Sequence, residues 1–416
     1  MMRFAYTLLS YLLLPYALAH LAWRARREPA YLEHLGERFG RYGLKPDRPV
    51  IWLHAVSLGE TRGAEPLVKA LLAAYPEHAL LLTHMTPTGR EAGRALYGDR
   101  VLQSWLPYDY PTAVARFLAH FSPRIGIVME TEIWPALVRR CHAGKIPLLL
   151  VNARMSVRSA QGYARFPGFT RETLNELTAI AAQTATDAAR LEGLGARNVS
   201  VTGNLKFDIE PPAEQLALGE AFRAGYGNRP VLLAASTRDG EEDLFLDAVA
   251  KMAVPGLLAV IVPRHPQRFD EVARLVAARG LRLQRRSEKR AIAAETQVVL
   301  GDSLGELFGY YCAADAAFVG GSLVEWGGHN LIEACAVGTP VLVGPHTMNF
   351  PDATDGAIAE GAAVRVADPA ALAETAAGLL NDAPARQRMS EAGRAFASRH
   401  RGSTTRLLAL ISRAMR

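Results

Sequence analysis

Short apolar runs rich in β-branched residues recur along most of the chain, at 50–53, 79–83, 125–129, 147–151, 180–182 and 199–202. Between them lie Ala/Leu/Arg-rich segments with apolar residues at helical spacing, such as 65–74 and 113–120. A strand covered on both faces reads as a continuous apolar run, and strands that alternate with helices assemble into a parallel sheet. The pattern breaks at Ile209-Glu210-Pro211-Pro212 and then restarts, with runs at 231–235, 257–262, 298–300, 316–319, 341–343 and 363–366. The reading is two Rossmann-like α/β domains, 25–210 and 211–416, the second closing on a helical, basic stretch over 385–416. Ligands of open parallel sheets sit beyond the carboxyl ends of the strands. Two such sheets are expected to face each other across one central cleft.

The first 24 residues read differently. From Phe4 to Trp23 there is no charged side chain, and the stretch is interrupted only by Pro15 and His20. Twenty residues just reach spanning length, Tyr6, Tyr11, Tyr16 and Trp23 suit an interface, and Arg24, Arg26 and Arg27 follow at once. A membrane anchor or a deep interfacial helix is expected over 1–24, with the body in the cytoplasm. The alternatives are a signal peptide ending at Ala17-Leu18-Ala19 and a helix buried against the body.

Charge sharpens this picture. The 416 residues carry a formal +6, which by itself would allow a polyanion partner. Residues 24–48 hold net +3 and Arg3 adds one, so residues 49–416 carry only +2. A nearly neutral body argues against nucleic acid, and the basic collar belongs beside a membrane. Cys141, Cys312 and Cys335 are too few and too scattered for a disulfide framework or a CxxC site.

Candidate chemistry lies just after the strands. S-L-G-E at 57–60 turns into a helix, and Glu60 there is either a general base or a first-turn glutamate complementing the helix dipole. Glu130 and Glu132 follow the 125–129 run as catalytic carboxylates or as capping and pairing groups. Lys206, in G-N-L-K-F-D at 203–208, either holds an anionic substrate group or is a solvated lysine. In the second half, Ser236-Thr237-Arg238 and Pro263-Arg264-His265-Pro266 offer phosphate contacts or plain turns. Two Gly pairs, 320–321 and 327–328, precede Asn330-Leu331-Ile332-Glu333. Their backbone N–H groups at a helix start are expected to bind phosphate, with Glu333 on ribose hydroxyls. No D-x-D, GxxxxGK[ST], HExxH or GxSxG occurs, so metal-bridged phosphate binding, P-loop, zinc and serine-hydrolase chemistry lose support.

Taken as an ordered set, S-L-G-E (57–60), E-T-E-I-W-P (130–135), N-A-R-M-S (152–156), G-N-L-K-F-D (203–208), P-R-H-P (263–266) and G-G-H-N-L-I-E (327–333) resemble the bacterial 3-deoxy-D-manno-octulosonic acid (Kdo) transferases of the GT-B glycosyltransferases. The resemblance runs from the anchor to about residue 350. It implies inverting, metal-independent transfer of Kdo from CMP-Kdo to the lipid A precursor lipid IVA at the cytoplasmic face of the inner membrane, with no cofactor. It implies Glu60 as base, Glu130 and Lys206 as transition-state stabilisers, and an acceptor-binding first domain. It also implies a CMP site from Pro263, Arg264, Gly305, Glu306, Leu307, Asn330, Leu331, Ile332 and Glu333 in the second. Another GT-B enzyme using a different nucleotide sugar, an epimerase of the same architecture, and a scaffold that has lost catalysis are the competing readings.

Overall fold

The apolar runs become strands because a central strand of a covered sheet buries every side chain. In the computed structural model, which describes residues 2–416, the first sheet comprises β1 (Val50–His54), β2 (Ala79–His84), β3 (Leu102–Trp105), β4 (Ile125–Met129), β5 (Leu148–Ala153), β6 (Ala179–Ala182) and β7 (Val199–Val201). They pair in parallel in the order β3-β2-β1-β4-β5-β6-β7. Side chains alternate between faces. Trp52 and Val128 join the aromatic cluster of Phe117 and Phe121 on one face, while Ile51, Leu53 and Ile127 join Leu67 and Leu71 on the other.

The second sheet comprises β8 (Val231–Thr237), β9 (Leu258–Pro263), β10 (Leu283–Arg285), β11 (Val298–Leu300), β12 (Ala316–Val319), β13 (Val341–Val343) and β14 (Ala363–Arg365). Its order is β10-β11-β9-β8-β12-β13-β14, again parallel throughout. Strands β3 and β10 are not among the expected runs. Both are edge strands, and their sequences LQSW and LQR are only partly buried, so neither carries a continuous apolar signal.

The chain divides into two compact units, one running to Asp208 and taking up Gly402–Arg416, the other Ile209–Arg401. The final helix is thus a departure from the expected 211–416 grouping. The terminal stretch forms two helices, Ala383–His400 and Ser403–Met415, and the last returns to the first unit. Leu407 and Ile411 are fully buried in the cluster that backs Leu53 and Leu67, each worth about 1.5–3 kcal/mol. Asp208 ties down the start of that helix by accepting from the backbone N–H of Gly402 (2.7 Å) and of Thr404.

The apolar amino terminus forms two helices, Met2–Leu12 and Leu14–Ala25, bent by 45° at the break. Pro15 stands at the start of the second, where its ring displaces the preceding turn. Among the described residues no single helix is long and apolar enough to cross a membrane, though the bent pair passes that test together. The first helix is held on the first unit. Tyr6 Oη donates to Asp109 (2.8 Å), Tyr11 stacks on Tyr110, and Arg3 pairs with Glu172 and Glu176 at 3.0 Å. Apolar side chains of the pair stay bare, with Leu12 67% and Leu9 55% exposed.

Candidate active site

In the first sheet β1 has β2 on one side and β4 on the other, so the chain reverses direction of growth at the β1/β4 seam. His54 pairs with Val128 there, and both strands end together. Glu60 and Glu130 follow those two ends.

Ser57 caps the helix Leu58–Gly63, its Oγ accepting from the Glu60 N–H at 3.4 Å. The Glu60 carboxylate reaches back, Oε2 accepting from the Val56 N–H (2.9 Å) and Oε1 from Ser57 Oγ (3.1 Å). This reciprocal arrangement is a variant of the capping box, with the carboxylate on the N–H one residue before the cap. The cap fixes the carboxylate, and burial pushes its pKa up to about 7, helped by the neighbouring charges of Glu130 and Glu132. The cap orients a carboxylate poised near neutral pH. Glu132 is also raised by burial, and it accepts from Trp134 Nε1 at 2.7 Å.

Lys206 follows β7, three strands away from β4, yet its Nζ lies 3.9 Å from Glu130 Oε1. Strand-end amides carry the chain back. Asn204 Nδ2 donates to Gln183 Oε1 (2.9 Å), Gln183 Nε2 donates to the Asn152 carbonyl (2.9 Å), and Asn152 Oδ1 accepts from the Leu205 N–H (3.0 Å). Lys206 then packs over Gly63, on the helix that carries Glu60. Glu130 and Asn152 both hold left-handed backbone, φ 58° and 51°. Asn tolerates that conformation, whereas for Glu it is strain of the kind that collects at functional sites.

In the second sheet the corresponding seam lies between β8 and β12. Arg238 follows β8 and gathers its neighbours. Its Nη1 is 2.6 Å from His265 Nε2, its Nε is 3.3 Å from His329 Nε2, and its guanidinium lies over the Trp326 ring at 4.8 Å. Burial, then Arg238 and Arg264, push His329 down to about 4, and the same causes lower His265. Both imidazoles are thus neutral beside two guanidiniums. Glu333 is half-buried, and desolvation pushes it up to about 7, against the pull of Arg264. Pro263 ends β9 opposite Thr237, and the Arg264 N–H donates to the Thr237 carbonyl at 3.0 Å. The turn Gly305-Glu306-Leu307 comes after β11, the strand beside β9. Glu306 accepts two bonds from Arg286, each 3.2 Å, which fix that turn.

Part of the glycine segment is held by bonds within the protein. The Gly321, Ser322 and Leu323 N–H groups donate to the Glu241 carboxylate at 2.6, 3.0 and 3.0 Å, and Arg238 N–H adds a fourth bond at 3.1 Å. Gly328 and His329 donate to the Gly321 and Gly320 carbonyls, and Ile332 donates to Asn330 Oδ1 at 3.0 Å. A Cβ on Gly320 would sit 2.8 Å from Glu241 Oε2 and 2.7 Å from the Ser236 carbonyl, so only glycine admits this carboxylate. Arg238 and Arg264 carry positive charge beside this segment. Glu241 escaped the sequence reading because nothing near it marks it as more than a first-turn glutamate.

Comparison with known proteins places the chain. Residues 33–209 match the family described as 3-deoxy-D-manno-octulosonic-acid transferase (kdotransferase), and residues 246–396 match glycosyl transferases group 1. A UDP-GlcNAc 2-epimerase from Neisseria meningitidis is 15% identical over 88% of this chain and 100% of its own, with a TM-score of 0.57. A glycosyltransferase from Rickettsia africae is 13% identical over 89% and 100%, with a TM-score of 0.56. Both share the fold, two parallel-sheet domains of the GT-B kind. The 3-deoxy-D-manno-octulosonic acid transferase of Bordetella pertussis is 47% identical over 94% of this chain and 95% of the relative. That of Haemophilus influenzae is 38% identical over 99% and 98%. With such identity along nearly the whole length, the chain belongs to the 3-deoxy-D-manno-octulosonic acid transferase family.

Proposed function

We propose that this enzyme transfers Kdo from CMP-Kdo to the lipid A precursor lipid IVA, with inversion at the anomeric carbon. Glu60 is the base. It takes the proton of an acceptor sugar hydroxyl, whose oxygen bonds to the anomeric carbon as the bond from that carbon to the CMP phosphate breaks. CMP leaves with the bonding electrons. A carboxylate with a pKa near 7 is well matched to this task. Lys206, paired with Glu130, steadies the charge that develops on the transferred sugar, whose carboxylate suits a lysine.

The first unit then handles the acceptor and the second the donor. Arg264 and Arg238 receive the phosphate that gains charge on departure, an electrostatic contribution that is largest where water is excluded. Glu333 and the turns at Pro263, Gly305-Glu306-Leu307 and Asn330-Leu331-Ile332 surround the nucleoside. Because two guanidiniums serve the leaving phosphate, transfer is metal-independent, and full activity in EDTA is expected.

Membrane association at the cytoplasmic face of the inner membrane is part of this reading. The bare apolar side of the first two helices supports it, with Arg26 and Arg27 next in the chain to meet anionic lipid.

The observation that carries the proposal is the capped, half-buried Glu60 in a chain of this family. The test is incubation of the full-length protein with CMP-Kdo and lipid IVA, read by mass spectrometry. Product mass should rise by Kdo units, and UDP-sugars should not substitute. An unchanged acceptor would refute the reading.

A further inference from the structure

A cavity of about 500 Å³ opens in the first unit where the two amino-terminal helices meet the body. Leu13, Ala17 and Leu21 line its helix side, and Arg24, Arg38 and Tyr108 its polar side. Arg38 is unusual. It is only 1% exposed, yet its Nε has no hydrogen-bond partner, and its Nη2 finds only the Met85 carbonyl at 3.3 Å.

The guanidinium is otherwise supported by ring faces, with Trp105 at 4.3 Å and Tyr108 at 5.8 Å. Arg90 lies 4.9 Å from the same Trp105 ring. The nearby carboxylate, Glu37, is committed elsewhere, to Arg90 Nη1 at 3.2 Å and the Trp105 N–H at 2.8 Å. Of the two buried cations, Arg90 takes this carboxylate and Arg38 does not. Burial lowers the pKa of Arg38, and a buried charge without a full partner is costly. An anion entering the cavity would complete the set.

The position of the cavity says what carries that anion. One wall is the pair of helices whose outward side is bare and apolar. The opposite wall includes Val56, whose N–H holds the Glu60 carboxylate, and Thr86, whose Oγ1 donates to the Val56 carbonyl at 3.1 Å. A ligand here is apolar toward the membrane side, anionic at Arg38 and Arg24, and close to the base.

We propose that this cavity binds the phosphate of a phosphorylated, acylated sugar acceptor, with Arg38 and Arg24 as its partners and the acyl part against the amino-terminal helices. Both arginines are positioning residues, and the proposal rests on the acceptor reading given above for the same unit. Each charge-assisted contact to phosphate is worth roughly a tenfold change in affinity.

The test uses full-length enzyme and phosphatidylcholine vesicles doped with lipid IVA or with phosphatase-treated lipid IVA. Flotation of wild type should favour the phosphorylated vesicles about tenfold or more. Arg24→Gln and Arg38→Gln should each lose most of that preference and raise the acceptor KM about tenfold, leaving the KM for CMP-Kdo unchanged. On phosphatase-treated acceptor, wild type and variants should be alike. Arg24 is exposed, so Arg24→Gln keeps the test open even if Arg38→Gln fails to fold.

Inorganic phosphate added alone should compete weakly, because it lacks the apolar part. Equal loss on both acceptors, no loss on either, or inhibition by inorganic phosphate that ignores acceptor phosphorylation would each overturn the proposal. Flotation decides even if no acceptor is turned over, so failure of the transfer reading and failure of this one are separable.

Discussion

Glu241→Gln is the substitution whose effect can be worked most closely from the structure. The carboxylate is fully buried and accepts four backbone N–H bonds, Oε2 from Gly321 and Arg238 and Oε1 from Ser322 and Leu323. A glutamine keeps one oxygen and turns an NH2 toward the other two donors. Two buried donors are left unsatisfied at about 1–3 kcal/mol each, roughly 4 kcal/mol together. Part of this is offset, because burial already pushes the Glu241 carboxyl up and a neutral amide carries no such penalty. A net loss of about 2–3 kcal/mol remains. For a unit of this size that corresponds to a fall of about 4–12 °C in Tm. Scanning calorimetry of the full chain should show it in one transition, and the KM for CMP-Kdo should rise, since the loop runs directly on to His329 and Asn330. A Tm within about 1 °C of wild type, with the donor KM unchanged, would refute the idea that this carboxylate organises the glycine segment.

Other outcomes follow from the same geometry. Glu60→Gln should abolish transfer while CMP binding to the second unit survives; transfer near the wild-type rate would remove Glu60 as base. Because a base acts only when unprotonated, kcat/KM of wild type should fall about tenfold per pH unit below about pH 7 and level off above. The stability of wild type should show the opposite sign. The folded pKa of Glu60 is raised from 4.5 to about 7, so the folded state holds the extra proton and stability declines as pH rises through that window. Urea unfolding of Glu60→Gln should lack this decline. Asp208→Ala should free the helix Ser403–Met415, at about 1–2 kcal/mol, and expose the chain near Gly402 to limited proteolysis while leaving the second unit intact. Equal cleavage of wild type and variant would show that Leu407 and Ile411 alone hold the helix.

The division of labour between sequence and structure follows the range of the forces involved. Central strands were legible because a strand buried on both faces shows in every one of its own residues, as Val50–His54 does. The two halves, the placement of Glu60, Glu130 and Arg264 just past strand ends, and the basic collar follow from the same local pattern. Edge strands β3 and β10 were not legible, since partial exposure leaves polar residues in them.

Tertiary structure alone decided which distant groups meet. Lys206 reaches Glu130 only through amides at the ends of three strands, and the final helix joins the first unit because Leu407 and Ile411 find apolar cover there. It also decided which donors were already in use. The first glycine pair suggested free backbone, but a buried carboxylate about eighty residues earlier takes the N–H groups of Gly321, Ser322 and Leu323. A sequence lists the donors and acceptors of a chain, and long-range packing determines which of them are spent on the fold and which remain for a ligand.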